Sequence, residues 1–194
     1  MALEKSYSFN SRGFSLVEVM IAMAILTAVS LGVAQLFAAT GRANLIARGQ
    51  TSTTAMAEQK MEQLRSLTWG FDLEGLGLPV TDTSSNVAVY PQTQTGSGLN
   101  PSPARSLIEN TSGFVDYLDA TGRWVGTGST PPPTAVYIRR WSIEPLPTNP
   151  NNTIVLQVLV TPVVNEASRV GSADRRTRMP GDALLTTVKT RKAS

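Results

Sequence analysis

The sequence predicts an α+β protein in which one long N-terminal helix, apolar in its first half and amphipathic in its second, packs on a small antiparallel β-sheet. Three observations predict it. The segment from Phe14 to about Leu67 has no proline and consists mainly of good or neutral helix formers. A stretch rich in glycine, proline, serine and threonine follows it, and beyond that lie three runs of β-branched, leucine and aromatic residues separated by turn residues. With 194 residues, the chain has room for one domain and an appended helix.

The chain opens on a short polar stretch, Met1 to Gly13, in which Lys5 and Arg12 oppose Glu4. Phe14-Ser15-Leu16-Val17-Glu18 comes next, and then Val19 to Gly41 without a charged side chain. That run is long enough to span a bilayer core, and the two cations before it predict that this end stays in the cytoplasm while the remainder is exported. Glu18 is the anomaly. A carboxylate in a membrane-embedded helix costs roughly 2.5–3.5 kcal/mol on insertion scales, and no basic residue lies within a helical turn on its C-terminal side. The partner it demands is a new positive charge, such as an amine freed by cutting before Phe14. An ordinary secretory signal predicts instead a small-residue cleavage site after the apolar run, for which Ala38-Ala39-Thr40 is a weak match, and no acid inside it. A plain membrane anchor is the other alternative.

A helix of about 54 residues at 1.5 Å per residue would reach roughly 80 Å, well beyond the roughly 30 Å of a bilayer core, so it continues outside the membrane. Gly32, Gly41 and Gly49 are weak points in it, each costing up to about 1 kcal/mol relative to alanine; they either permit bending or let helices approach closely. In the second half Ile46, Gly49, Thr53, Met56, Ala57, Met61, Leu64 and Leu67 recur at three- and four-residue steps, with Arg48, Glu58, Lys60, Glu62 and Arg65 mainly off that stripe. Met56 and Met61 read as core filler under the sheet, and Glu62 with Arg65 as a small surface pair. The helix is expected to end near Thr68-Trp69-Gly70, the glycine standing just past its C-terminus.

From Gly70 to about Thr134 the pattern breaks up. Val87-Ala88-Val89-Tyr90 reads as a short strand, and Gln92 to Ala104 as an exposed loop with too few apolar residues to pack. Phe114 to Leu118 and Arg123 to Val125 flank Asp119-Ala120-Thr121-Gly122 as a hairpin. Asp72, Glu74 and Asp82, or Asp116 with Asp119, lack the alternating spacing of a calcium loop and read as solvated turn residues. Ala135 to Glu144 alternates, with Val136, Ile138 and Arg140 on one side and Tyr137, Arg139 and Trp141 on the other, until Pro145 and Pro147 stop it. Thr153 to Thr161 reads as a central strand covered by the helix, after a turn at Pro150-Asn151-Asn152. A second loop runs from about Asn165 to Asp182, and Ala183 to Thr190 is the last strand.

Composition narrows the chemistry. The chain has no cysteine and no histidine, which removes thiol nucleophiles, disulfides, a Ser-His-Asp arrangement and the commonest metal ligand. It contains no Gly-x-x-x-x-Gly-Lys-Ser/Thr phosphate loop and no dinucleotide fingerprint. Paired acids such as Asp116 and Asp119 have the residue types for glycosidase chemistry, but sequence does not give the separation of their carboxyls. No catalytic residue, cofactor or metal is assigned, and the chain reads as the substrate of an enzyme, not one itself. Its net charge of +3 is mild. A basic C-terminal region, with Arg169, Arg175, Arg176, Arg178, Lys189, Arg191 and Lys192 against Asp174 and Asp182, is a weak candidate for DNA or phosphate, since no aromatic is interleaved to stack on bases. A solvated loop and tail is the plainer reading.

The segment Arg12-Gly13-Phe14-Ser15-Leu16-Val17-Glu18 with its apolar continuation resembles the processing motif of type IV pilins and of the pseudopilins of type II secretion. The resemblance implies a pilin-like fold and a leader, residues 1–13, that a prepilin peptidase removes between Gly13 and Phe14. The same enzyme would N-methylate Phe14, and Glu18, the fifth mature residue, would help assembly. It further implies a long helix over 14–68, membrane-spanning at about 14–41, and an extracytoplasmic sheet domain over 69–194 whose variable segment is about 70–134. The tracts Ala57 to Arg65 and Tyr137 to Ile143 resemble minor pilins of the type IV pilus, with a minor pseudopilin as the alternative and a membrane-anchored adhesive or DNA-binding protein as another. The implied partners are the prepilin peptidase, the inner membrane with its assembly machinery, and other pilins or pseudopilins in a helical filament.

Overall fold

The helix forms where the proline-free run predicts it. The computed structural model describes residues 13–72, 76–169 and 177–191, and in it α1 is one helix of 51 residues, Leu16–Ser66. The chain divides into two compact units, Met1–Leu45 and Ile46–Ser194.

In the first unit, every described side chain of residues 13–45 is exposed. α1 runs unbroken through Gly32 and Gly41, around which nothing lies within 4 Å of where a Cβ would be. The Thr27 and Thr40 hydroxyls donate to the carbonyls of Met23 and Leu36, four residues back. The polar groups of the apolar run are thereby satisfied inside the helix, as hydrocarbon surroundings require.

The second unit follows α1 with β1 (Trp69–Phe71), β2 (Pro79–Thr81), β3 (Val115–Leu118), β4 (Trp124–Thr127), β5 (Tyr137–Pro145), β6 (Thr153–Pro162), α2 (Val163–Arg169) and β7 (Ala183–Thr190). β1 and β2 form a two-stranded sheet; the others form a five-stranded antiparallel sheet in the order β4-β3-β5-β6-β7. The predicted hairpin is β3–β4, its turn closed by Gly122 at φ +83°. The last strand has its predicted ends.

The main core lies between one face of this sheet and the second half of α1. Met56, Ala57, Met61 and Leu64 meet Trp141 and Ile143 of β5 and Ile154, Leu156, Val158 and Val160 of β6. A smaller cluster of Val115, Tyr117 and Ile138 lies apart from it. β5, not β6, is the middle strand, and it is buried on both faces over most of its length. β6 lies next to it with Val155, Gln157 and Leu159 half-buried on the face away from the main core.

Four local expectations are corrected. Val87 to Tyr90 is a turn, not a strand; Val87 and Ala88 are nevertheless buried and fill the core from the loop. The segment from Gln92 to Ala104 is not simply an exposed loop, because Leu99 is buried in the same core. Gly98 makes that approach possible: its φ is +50°, and a Cβ there would stand 2.4 Å from the Asp82 carbonyl oxygen. The predicted loop after Asn165 overlaps α2, which begins directly at the end of β6. Gly70 is not a helix cap but lies within β1.

Candidate functional site

The N-terminal motif is built on a helix start. Gly13, Phe14 and Ser15 precede α1, and the Ser15 carbonyl accepts from the Glu18 amide at 3.0 Å and from the Val19 amide at 3.2 Å. Ser15 is therefore the N-cap residue, and Glu18 is the third residue of the first turn. Ser-x-x-Glu is the spacing of a capping box, a signal legible in the sequence itself. An acid at a helix N-terminus is favoured by about 0.3–1 kcal/mol. That falls short of the roughly 2.5–3.5 kcal/mol cost of placing it in hydrocarbon. The helix start explains why glutamate is tolerated there, but not how it is neutralised.

Among the described residues Glu18 forms no ion pair. Phe14 is 83% exposed. The apolar run has an 18-residue window of mean hydropathy 2.3, none of it buried. A core helix would be covered by its own chain. This surface has to be covered by lipid or by apolar surface of other chains. Lys5 and Arg12 lie outside the described residues.

The second half of α1 carries a charge with the opposite fate. Lys60 is 1% exposed. Its Nζ donates to Asp116 Oδ2 at 2.8 Å, to the Val87 carbonyl at 2.5 Å and to Gln63 Oε1 at 2.9 Å, and lies 4.3 Å from the Trp141 ring centroid. Arg139 grips the same carboxylate with two bonds of 2.8 Å and turns its third nitrogen to the Met56 carbonyl and Gln59 Oε1. Two cations share one carboxylate, and backbone carbonyls, two glutamines and an indole face take up the rest. Burial pushes the Lys60 ammonium down to about 8, with Asp116 opposing the shift. This corrects two readings: Asp116 is no solvated turn residue but the anchor of a buried cluster, and Lys60 belongs to the buried stripe.

The remaining acids read as turn residues are local caps. Asp119 Oδ1 accepts from the amides of Thr121 and Arg123. Asp82 accepts from the amides of Ser84 and Ser85 and from the Ser85 hydroxyl, which holds its carboxyl below the usual range. Asp72 accepts from the Leu78 amide, and Glu74 lies outside the described residues. Among the described residues no group of three or more acidic, His or Cys side chains is placed to hold a metal.

Among the described residues, three of the basic C-terminal candidates, Arg169, Lys189 and Arg191, are engaged by other parts of the fold. Lys189 Nζ donates to the carbonyls of Arg65 and Leu67, closing the C-terminal end of α1, and burial lowers its pKa. Arg191 stacks 3.7 Å over the Trp69 ring and donates to the carbonyls of Gly70, Val80 and Asn151. Both cations tie the last strand and its end to α1, β1 and β2. Arg169 is buried against Asp182 and Glu166. Arg178 is exposed, and Arg175, Arg176 and Lys192 lie outside the described residues.

Comparison with known proteins agrees at the N-terminus: residues 8–34 match the prokaryotic N-terminal methylation motif. No curated protein and no solved structure matches the chain.

Proposed function

We propose that this chain, whose residues 8–34 match the prokaryotic N-terminal methylation motif at the head of a long apolar helix, is a structural minor subunit of a type IV pilus. In this reading a prepilin peptidase cuts between Gly13 and Phe14 and N-methylates Phe14. The subunit then rests in the bacterial inner membrane as a single-pass protein with its sheet domain in the periplasm, and is drawn from there into the filament. Glu18 meets the Phe14 ammonium, its own or a neighbour's, and that pairing sets subunit register.

The observation that carries the reading is the apolar, wholly exposed first half of α1, whose single acid, Glu18, has no ion-pair partner among the described residues. Mass spectrometry of the N-terminal peptide from the native host tests it. A methylated Phe14 terminus is the expected result; an intact Met1 end or a start near Thr40 refutes it. The minor-pilus assignment rests on the resemblance of the tracts around Lys60 and Trp141. Copurification with a type II secretion pseudopilus would reassign the subunit to that filament, and failure to enter any filament would favour a membrane-anchored adhesive or DNA-binding role.

A further inference from the structure

The sheet face opposite the one that packs on Met61 and Leu64 of α1 holds a cavity of about 660 Å³, within the roughly 300–1,000 Å³ range of small-molecule sites. Its floor includes Leu159 of β6 and Leu184 of β7, and one wall is the loop bearing Leu107 and Ile108. That loop is pinned to β5, where the Ser102 amide donates to the Ile143 carbonyl and the Ile143 amide to Ser102 Oγ. In the same wall Arg105 has φ +69°, the only positive value at a non-glycine residue among those described. Strained backbone of this kind gathers at ligand sites.

Arg169 and Arg178 also line the cavity. The Arg169 side chain is 8% exposed, and Asp182 and Glu166 hold its terminal nitrogens, yet its Nε has no hydrogen-bond partner among the described residues. A buried guanidinium N–H without an acceptor is unfavourable until a ligand or water supplies an oxygen. Arg178 stands at the rim, exposed and with no ion pair among the described residues. Among the described residues Asp182 and Glu166 balance Arg169 and Arg140, which leaves Arg178 as the cation of the lining without an ion pair. Asp182 is bound to Arg169, and Glu166 is shared between Arg169 and Arg140. Glu144, the other acid of the described lining, stands four residues beyond Arg140 along β5.

We propose that this cavity binds a small anionic amphiphile, its anionic head against Arg169 and Arg178 and a short apolar tail over Leu107, Ile108, Leu159 and Leu184. The site does not depend on N-terminal processing. Full-length protein in lipid nanodiscs, with empty nanodiscs as the blank, is titrated with hexanoate, hexanol and inorganic phosphate by ligand-observed NMR. Hexanoate is expected to bind saturably, and Arg178→Gln or replacement by hexanol to weaken binding about tenfold, the scale of one charge-assisted hydrogen bond. Leu184→Trp, which fills the cavity from a half-buried position, is expected to abolish binding without shifting the melting temperature. Absence of saturable binding overturns the proposal, as does hexanol binding as tightly as hexanoate. Phosphate matching hexanoate would reduce the site to an adventitious ion only and likewise refute it.

Discussion

Glu18 and Lys60 stand on the same helix, and the fold treats them differently. Lys60 has all three of its ammonium protons taken within its own chain, one by a carboxylate 2.8 Å away. Glu18 sits in a segment whose described side chains are all exposed, and no described cation pairs with it. A buried charge survives when the fold brings partners to it. Where folding brings none, burial has to wait for another surface. The contrast separates a half of α1 that folding completes from a half that assembly must complete.

The largest expected effect breaks the contrast at its unsatisfied end. Glu18→Ala should leave cleavage and the urea midpoint of the sheet domain unchanged while abolishing incorporation into filaments, scored by immunoblot of sheared filaments. Normal incorporation would remove the reason for pairing Glu18 with Phe14. At the satisfied end, Asp116→Ala strands Lys60 and Arg139 without a counter-charge. Urea denaturation of Ile46–Ser194 should show a loss of about 3–5 kcal/mol; a loss under 1 kcal/mol would mean that water reaches the cluster.

Apolar residues sharpen the same division. Leu64→Ala should cost about 2–5 kcal/mol in the full chain's sheet-domain unfolding, whereas Leu26→Ala should change it by less than about 0.5 kcal/mol. Comparable losses would show that the first half of α1 shares in the domain's stability. The smallest effect is a pH dependence. Folded Lys60 releases its proton near 8, against 10.5 when unfolded, so between those values the unfolded chain holds more protons. Stability should therefore rise with pH across that window, because a penalty fully present below about 8 is lifted. Urea midpoints at several pH values, compared between the parent and Lys60→Met, isolate this contribution, and a constant difference between them would refute it.

Much of the architecture was legible along the chain. The proline-free run gave α1 to within two residues at its N-terminal end, alternation and turn residues gave β3 through β7, and the charge pattern at Gly13 to Glu18 pointed to the motif matched at residues 8–34. The misses have a common cause. Lys60 lies four residues after Met56 and four before Leu64, so spacing alone put it on the buried face; its charge argued it off. Val87 is buried because Trp141 and Leu64 lie in the same core, which no local pattern records. Lys189 and Arg191 looked like a free basic tail because the carbonyls they bind, at Arg65 and Gly70, are remote in sequence.

By itself the sequence determined the long helix and the strands β3 to β7, and that an acid stands at the head of an apolar run. Those are properties of neighbours: periodicity, turn chemistry, and the absence of proline or charge over a span. Tertiary structure alone decided which charges are neutralised and which surfaces are covered. Lys60 reaches Asp116 and Lys189 reaches the end of α1 only after the sheet has closed on the helix. Electrostatic energy depends on separation and desolvation in space, and the order of residues along the chain specifies neither until the chain has folded.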